Sequence, residues 1–230
     1  MDNMKISVII PFHNEEENVD FVLNEVRKEI PDAEIIAVDD GSTDKTGLML
    51  KKHSSVNVIS FKKRLGQSAA LYVGLSRATC PICVMMDGDG QNDPRDIPRL
   101  VFLLENADVV CGRRNDRKDD ISKIMASKLA NFIRRISLGD NISDTGCAIK
   151  ALRREHVRHI VPFNGFHRYI PNILGNVGLS AVEIPVNHRP RRFGKSKYSI
   201  IGRGWRGMRD LLGIKWLMSR QIKWPDDFKL

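Results

Sequence analysis

The sequence predicts an α/β protein built on a mostly parallel, doubly wound sheet flanked by helices. Three observations carry that expectation. Apolar runs of strand length alternate with stretches of helical spacing. Several of those runs are almost wholly apolar, as strands covered on both faces must be. Polar and acidic residues gather just after the runs, where parallel sheets of this kind bind ligands.

In chain order, Ile6–Pro11, Glu34–Val38, Val56–Phe61, Pro81–Met86 and Asp108–Gly112 read as strands, and Glu15–Ile30, Thr43–His53, Gln67–Ala78 and Pro94–Glu105 read as helices. Asn14 and Ser42 stand where N-caps are expected, and Pro31 and Pro81 mark stops. After Gly112 a long helix is expected over Ile121–Leu138, then a loop carrying Asp140, Asp144 and Gly146. Another helical stretch follows, then a short strand, Ala181–Val186, and a basic tail.

The chain has 230 residues, with 37 Lys+Arg against 28 Asp+Glu and a net charge of +9. That excess lies wholly in Val186–Leu230, which holds twelve basic and three acidic residues and all three tryptophans. The preceding body is neutral. Ile201, Trp205, Met208, Leu212 and Trp216 fall on one side of a helical projection, extended by Leu211, Ile214, Leu217 and Met218. Arg203, Arg206 and Arg209 lie largely opposite. Such a helix either rests on an anionic membrane or packs its apolar side on the body. No nucleic-acid recognition motif accompanies the charge, so no nucleic-acid partner is expected. The expected organisation is a globular body over 1–198 and a basic, amphipathic, membrane-associating tail over 199–230.

No run of eighteen uncharged apolar residues predicts a transmembrane helix, and MDNMKISVII reads as a first strand, not a leader. The four cysteines form no disulfide framework, and Cys80-x-x-Cys83 reads as two small hydrophobes at a strand. Gly202–Gly207 matches a dinucleotide fingerprint only by letter, since no strand precedes it.

The strand ends carry the chemistry. The first runs into Pro11-Phe12-His13-Asn14-Glu15, the second into Asp39-Asp40-Gly41-Ser42, and the fourth into Asp87-Gly88-Asp89-Gly90-Gln91-Asn92-Asp93-Pro94. Two carboxylates separated by glycine can converge on one hard cation, and Mg²⁺ takes one or two protein carboxylates while keeping places for phosphate. Asp87 and Asp89 suit that, with Gln91 able to add an amide oxygen. Acidic turns at three parallel strand ends outweigh the alternative that these are ordinary turn residues.

With those motifs, and with Leu65-Gly66, Val110–Arg114, Ser143–Gly146, His188–Arg191 and Gly194–Tyr198 in the same order, the sequence resembles the family 2 glycosyltransferases of the GT-A fold. Within them it is similar to the polyprenyl-phosphate, dolichyl-phosphate mannose synthase-like branch. The resemblance implies that Pro11, His13, Glu15, Val38 and Asp40 hold the base and ribose of a nucleotide-sugar, and that Asp87, Gly88, Asp89 and Gln91 hold Mg²⁺ or Mn²⁺ and the diphosphate. It further implies that Arg114, Arg191 and Lys197 meet phosphates of donor or acceptor. His13 stands where the family usually has an aromatic, and Cys147–Lys150 replaces a common Ser-Phe-Arg run.

The expected reaction is sugar transfer, with inversion at C1, from a nucleotide-sugar to a polyprenyl phosphate at the cytoplasmic face of a membrane, with the protein peripheral. A UDP-sugar is favoured, with GDP-mannose as the alternative donor. A phosphate acceptor needs no general base, because a phosphate monoester's second pKa is about 6. A membrane-protein partner or a homo-oligomer is compatible with this reading. Rival expectations are a phosphatase with an Asp nucleophile, which leaves the residues around Asp40 and Glu15 idle, and a non-catalytic nucleotide-sugar-binding scaffold.

Overall fold

Seven strands form one sheet in the order β3-β2-β1-β4-β6-β5-β7. A computed structural model describes residues 5–114, 133–193 and 201–222, with backbone alone over 201–208. The first half builds the parallel part from β1 (Ile6–Phe12), β2 (Glu34–Asp39), β3 (Val56–Ser60) and β4 (Ile82–Met85). Between these strands run α1 (Val19–Glu29), α2 (Thr46–Lys51) and α3 (Gln67–Arg77). α4 (Ile97–Leu103), entered through a 3-10 turn at Pro94–Asp96, leads to β5 (Val109–Arg114). β6 (Lys150–Arg153) and β7 (Ala181–Val186) complete the sheet.

The strands are apolar on both faces because helices cover both. α1 presents Val19, Val22, Leu23 and Val26, a spacing that places them on one side, and buries them all. They join β1, β2, α4 and the even-numbered residues of β1 in one core. Ile9, Ile36 and Val38 point to the other face, where α3, the helix Ile170–Gly175 and Leu211 and Ile214 of the C-terminal helix (Ile201–Arg220) form the second core.

β1 lies parallel to both β2 and β4, which follow it in opposite directions across the sheet. The chain order therefore reverses at β1, and the loops after β1, β2 and β4 open at one edge around a crevice.

Several local expectations change. Neither Asn14 nor Ser42 caps a helix: α1 begins after Asn18 and α2 after Lys45. The two residues knit their loops together instead. Asn14 N–H donates to Ser42 Oγ (3.0 Å), and Thr43 N–H donates to Asn14 Oδ1 (2.8 Å). Asn14 adopts φ 52°, a conformation that Asn tolerates better than most residues.

The expected helical stretch after Gly146 is mostly something else. It contains β6, which runs antiparallel between β4 and β5, then two 3-10 segments, and only the short helix Ile170–Gly175. β6 is four residues long and reads Lys-Ala-Leu-Arg, so no periodicity announces it. Residues 133–138 are helical, and the remainder of the helix expected over Ile121–Leu138 lies outside the described residues.

The C-terminal helix divides its apolar face. Leu211 and Ile214 are buried on the body, with Leu217 and Met218 partly covered, whereas Leu212 and Trp216 are 66% and 65% exposed. Arg168 pairs with Asp210 at 2.5 Å, and Asn176 donates to the Met218 carbonyl at 2.8 Å, fastening the helix. The side chains of Ile201, Trp205 and Met208 lie outside the described residues. Among the described residues, no helix is long and apolar enough to cross a membrane. All four cysteines are buried and free.

Candidate active site

A cleft of about 350 Å³ opens at the crevice beyond β1, β2 and β4. Pro11, His13, Glu15, Asp40, Asp87, Gly88, Asp89, Gln91 and Arg191 all reach its lining, so residues up to 180 positions apart converge there. Val38 does not: it is buried in the core under α3.

Hydrogen bonds brace the loop ends around the cleft. His13 Nδ1 lies 2.9 Å from the Asp40 carbonyl. The Asp40 carboxylate accepts N–H bonds from Leu65 (2.6 Å) and Gly66 (2.9 Å), pinning the start of α3 against the end of β2. Gly41 follows at φ +60°, and a Cβ there would meet the Lys63 backbone at 2.4 Å. Asp87 accepts from Gln67 Nε2 at 2.6 Å, and its own N–H donates to Asn92 Oδ1 at 2.8 Å. Asp89 Oδ1 accepts the Gln91 N–H at 3.1 Å.

Electrostatically, Asp87 and Asp89 oppose each other. Burial, then the neighbouring Asp89 charge, push the Asp87 carboxyl up to about 7, against the pull of Lys150, Arg114 and Arg191. Nearby cations lower the cost of charging both carboxylates, and Arg191 already supplies one at Asp89. That donor chemistry fits a divalent ion shared with a diphosphate, which needs only one or two protein carboxylates. Among the described residues, no cluster of three or more His, Cys, Asp or Glu is arranged as a metal cage. Gln91 turns its amide nitrogen toward the Arg189 carbonyl (3.3 Å) and His188 (3.4 Å), so it braces the 187–193 segment.

That segment is a strap tied to the cleft's edge. Asn92 and His188 form an isolated bridge, Arg189 N–H donates to the Gln91 carbonyl at 2.9 Å, and the Arg189 guanidinium pairs with Glu25 (2.6 Å) and Asp93 (2.7 Å). Arg191 is thereby delivered to the carboxylates, 2.8 Å from Asp89 and 3.4 Å from Glu15.

Arg114 stands beside the cleft and is held bidentately by Asp144, with both bonds at 2.8 Å. Asp144 is fixed in turn, since Glu183 accepts its N–H at 2.8 Å and bonds Ser143 twice at 2.7 Å. Lys150 is buried, donating to the carbonyls of Thr145 and Cys147. Lys197 lies outside the described residues. Gly146, from the expected Ser143–Gly146 motif, also lines the cleft, as do Arg64 and Gln67, which the sequence reading does not single out. Gln67 directly follows the Leu65-Gly66 turn, so a polar residue opening a helix at a strand end was the available signal.

A sheet with reversed strand order, a braced nucleotide-sized crevice and paired carboxylates at its rim define a GT-A fold. A profile of the glycosyl transferase family 2 matches residues 7–161, and the chain belongs to that family. It is 34% identical over 212 residues to an undecaprenyl-phosphate 4-deoxy-4-formamido-L-arabinose transferase of Pectobacterium atrosepticum, covering 87% of this chain and 65% of that protein. The chain thus spans less than two thirds of that relative's length. It is 32% identical over 237 residues to a dodecaprenyl-phosphate galacturonate synthase of Rhizobium johnstonii, covering 97% of this chain and 70% of that protein. Its fold superposes with a TM-score of 0.71 on glucosyl-3-phosphoglycerate synthase from Mycobacterium tuberculosis, solved with Mn²⁺, UDP and glucosyl-3-phosphoglycerate. That match is 23% identical and covers 98% of this chain and 82% of that one.

Proposed function

We propose that the protein transfers a glycosyl unit from a nucleotide-sugar, a UDP-sugar in preference to GDP-mannose, to a polyprenyl phosphate, with inversion at C1. The observation that carries this reading is the convergence of Asp87, Asp89 and Arg191 with His13, Glu15 and Asp40 on one crevice, in a chain whose relatives act on polyprenyl phosphates.

Pro11, His13, Glu15 and Asp40 take the nucleoside end, with the Val38 strand end beneath them. Gly88 lets the Asp-Gly-Asp turn pack closely on the end of β1, since a Cβ there would press on the Phe12 ring at 2.5 Å, and so seats the carboxylates that would hold the diphosphate's metal. Asp87 and Asp89 would hold Mg²⁺ or Mn²⁺, which supplies Lewis-acid neutralisation of the leaving diphosphate. Arg191 exchanges its carboxylate partners for the diphosphate. Arg114, already oriented by Asp144, adds fixed positive charge beside it, and Lys197 is assigned the same task. A phosphate oxygen of the acceptor forms the new bond to C1 as the bond to the diphosphate breaks, and that oxygen needs no base.

The C-terminal helix supports peripheral attachment at the cytoplasmic face, because Leu212 and Trp216 project among the exposed cations Arg209, Lys215 and Arg220. Purified protein with Mn²⁺, radiolabelled UDP- and GDP-sugars and undecaprenyl phosphate in mixed micelles tests the reaction. Label should move into the lipid fraction from a UDP-sugar. Absence of lipid-linked label with every donor would refute the assignment, and phosphate release from a simple phosphomonoester would favour the phosphatase alternative.

A further inference from the structure

A second cavity of about 540 Å³ adjoins the cleft and shares Arg64 and Gln67 with it. Its far walls come from the 164–168 segment and from Arg209 and Asp210 of the C-terminal helix. Three guanidinium groups, Arg64, Arg168 and Arg209, face it against one carboxylate, Asp210. Asp210 is spoken for by Arg168 at 2.5 Å. Among the described residues, neither Arg64 nor Arg209 is paired with a carboxylate, so the cavity keeps uncompensated positive charge.

Neutral polar groups line the same cavity. Ser68 Oγ accepts the Gly165 N–H at 2.7 Å and lies 3.1 Å from His167 Nδ1. Burial, helped by Lys150 and Arg168, lowers the His167 pKa to about 3, so the ring at this wall is neutral and adds no charge of its own.

An apolar track leaves the same cavity. Leu212 is one helical turn beyond Arg209, Trp216 follows one turn later, and both are exposed.

An anion pocket continuous with an exposed apolar stripe matches one ligand chemistry: a phosphate monoester on a long alkenyl chain. We infer that this second cavity is the acceptor subsite, in which Arg64, Arg168 and Arg209 hold the acceptor's phosphate while its chain runs over Leu212 and Trp216. The shared wall at Gln67, which bonds Asp87, would place that phosphate next to the donor's diphosphate. The inference rests on the proposed function and adds the acceptor's binding residues to it.

Binding of farnesyl phosphate, with farnesol as the phosphate-free control, tests the subsite by titration calorimetry, and UDP with Mn²⁺ is titrated in parallel. Wild-type protein should bind farnesyl phosphate at least about tenfold more tightly than farnesol, as charge-assisted hydrogen bonds require. Arg209→Ala and Arg168→Ala should each weaken farnesyl phosphate about tenfold or more while UDP affinity stays unchanged. Trp216→Ser should weaken farnesyl phosphate and farnesol alike. Arg209→Lys should bind better than Arg209→Ala, which separates lost charge from lost folding. Unchanged farnesyl phosphate affinity in both alanine variants would overturn the subsite, as would a matching loss of UDP binding. A subsite that fails while wild-type protein still labels undecaprenyl phosphate sinks this inference alone. Failure of the labelling itself sinks the function.

Discussion

Arg191 Nη2 sits 2.8 Å from Asp89 Oδ2, so the strap between β7 and the C-terminal helix closes an ion pair on the second carboxylate of the Asp-Gly-Asp turn. The partners are 102 residues apart. Arg191 gains charge stabilisation from Asp89 first and from Glu15 and Asp87 beyond it, despite the burial that opposes its charge. The pair ties the strap to the Asp-Gly-Asp turn, and under the proposed function Asp89 is the residue on which donor binding would turn.

Asp89→Ala should therefore lower sugar transfer by at least about 100-fold, the size of effect seen when a transition-state charge loses its stabiliser. The fold should persist, because Asp89 belongs to neither hydrophobic core, while loss of the Arg191 pair lowers the thermal midpoint by several degrees. Near-wild-type transfer in this variant would remove Asp89 from the metal site.

The Arg114–Asp144 pair should act as one unit. Asp144→Ala leaves a half-buried guanidinium without its carboxylate, at a cost of about 2–4 kcal/mol. Urea denaturation reads that cost. The Arg114→Ala/Asp144→Ala double variant should be less destabilised than the two singles added together, and strict additivity would contradict the pairing.

Gly88→Ala tests the floor of the cleft. A Cβ would come within 2.5 Å of the Phe12 ring and 2.8 Å of the Pro11 carbonyl, and Phe12 is locked in the core. The expected loss is about 1–3 kcal/mol of stability, with weakened UDP binding by calorimetry. Gly175→Ala meets nothing within 4 Å and should be neutral or slightly stabilising.

His167 should leave a signature in the pH dependence of folding. Its pKa falls from the ordinary 6.5 to about 3, chiefly through burial. Between those values the unfolded chain binds the proton and the folded chain does not. The stabilising contribution is thus complete above about pH 6.5 and declines as pH falls toward 3, by at most about 1.4 kcal/mol per unit. His167→Gln should flatten the urea-derived stability curve over pH 4–6.5 relative to wild type. Parallel curves would show that the imidazole is not held neutral.

The buried thiols should be inert. Burial pushes Cys83 and Cys111 up to about 12, so thiolate is scarce at neutral pH. Ellman's reagent should titrate no cysteine in the native protein and four in urea. A fast-reacting thiol in the native protein would reopen a redox or metal role for Cys80-x-x-Cys83.

Membrane attachment should depend on the exposed stripe. Leu212→Ser/Trp216→Ser should float with anionic liposomes markedly less than wild type, since burying each such side chain contributes about 1.5–3 kcal/mol. Equal flotation would return the C-terminal helix to a packing role alone.

Much of this was legible without coordinates, and the limits follow from range. β1, β2 and β4 declare themselves because a strand covered on both faces must be apolar throughout, a property of consecutive residues. Their carboxylate-bearing ends follow directly in sequence, so Glu15, Asp40, Asp87 and Asp89 could be assigned to one edge. Val38 was placed at the nucleotide by resemblance, yet its side chain belongs to the core, as the alternation of a buried strand requires of a residue preceding Asp39.

The sequence by itself determined the parallel half of the sheet, the edge on which the crevice opens and the acidic groups that furnish it. Hydrophobic period and turn chemistry are local, and they act within a few residues. Tertiary structure alone decided that β6 inserts antiparallel between β4 and β5, that Asp144 holds Arg114, that Arg191 lands on Asp89, and that the C-terminal helix buries Leu211 and Ile214 while leaving Leu212 and Trp216 in the open. Each of those outcomes depends on which distant surface a segment meets, and no spacing along the chain encodes the partner. The +9 tail shows the difference: its composition announced an amphipathic basic helix, and packing divided that helix between body and solvent.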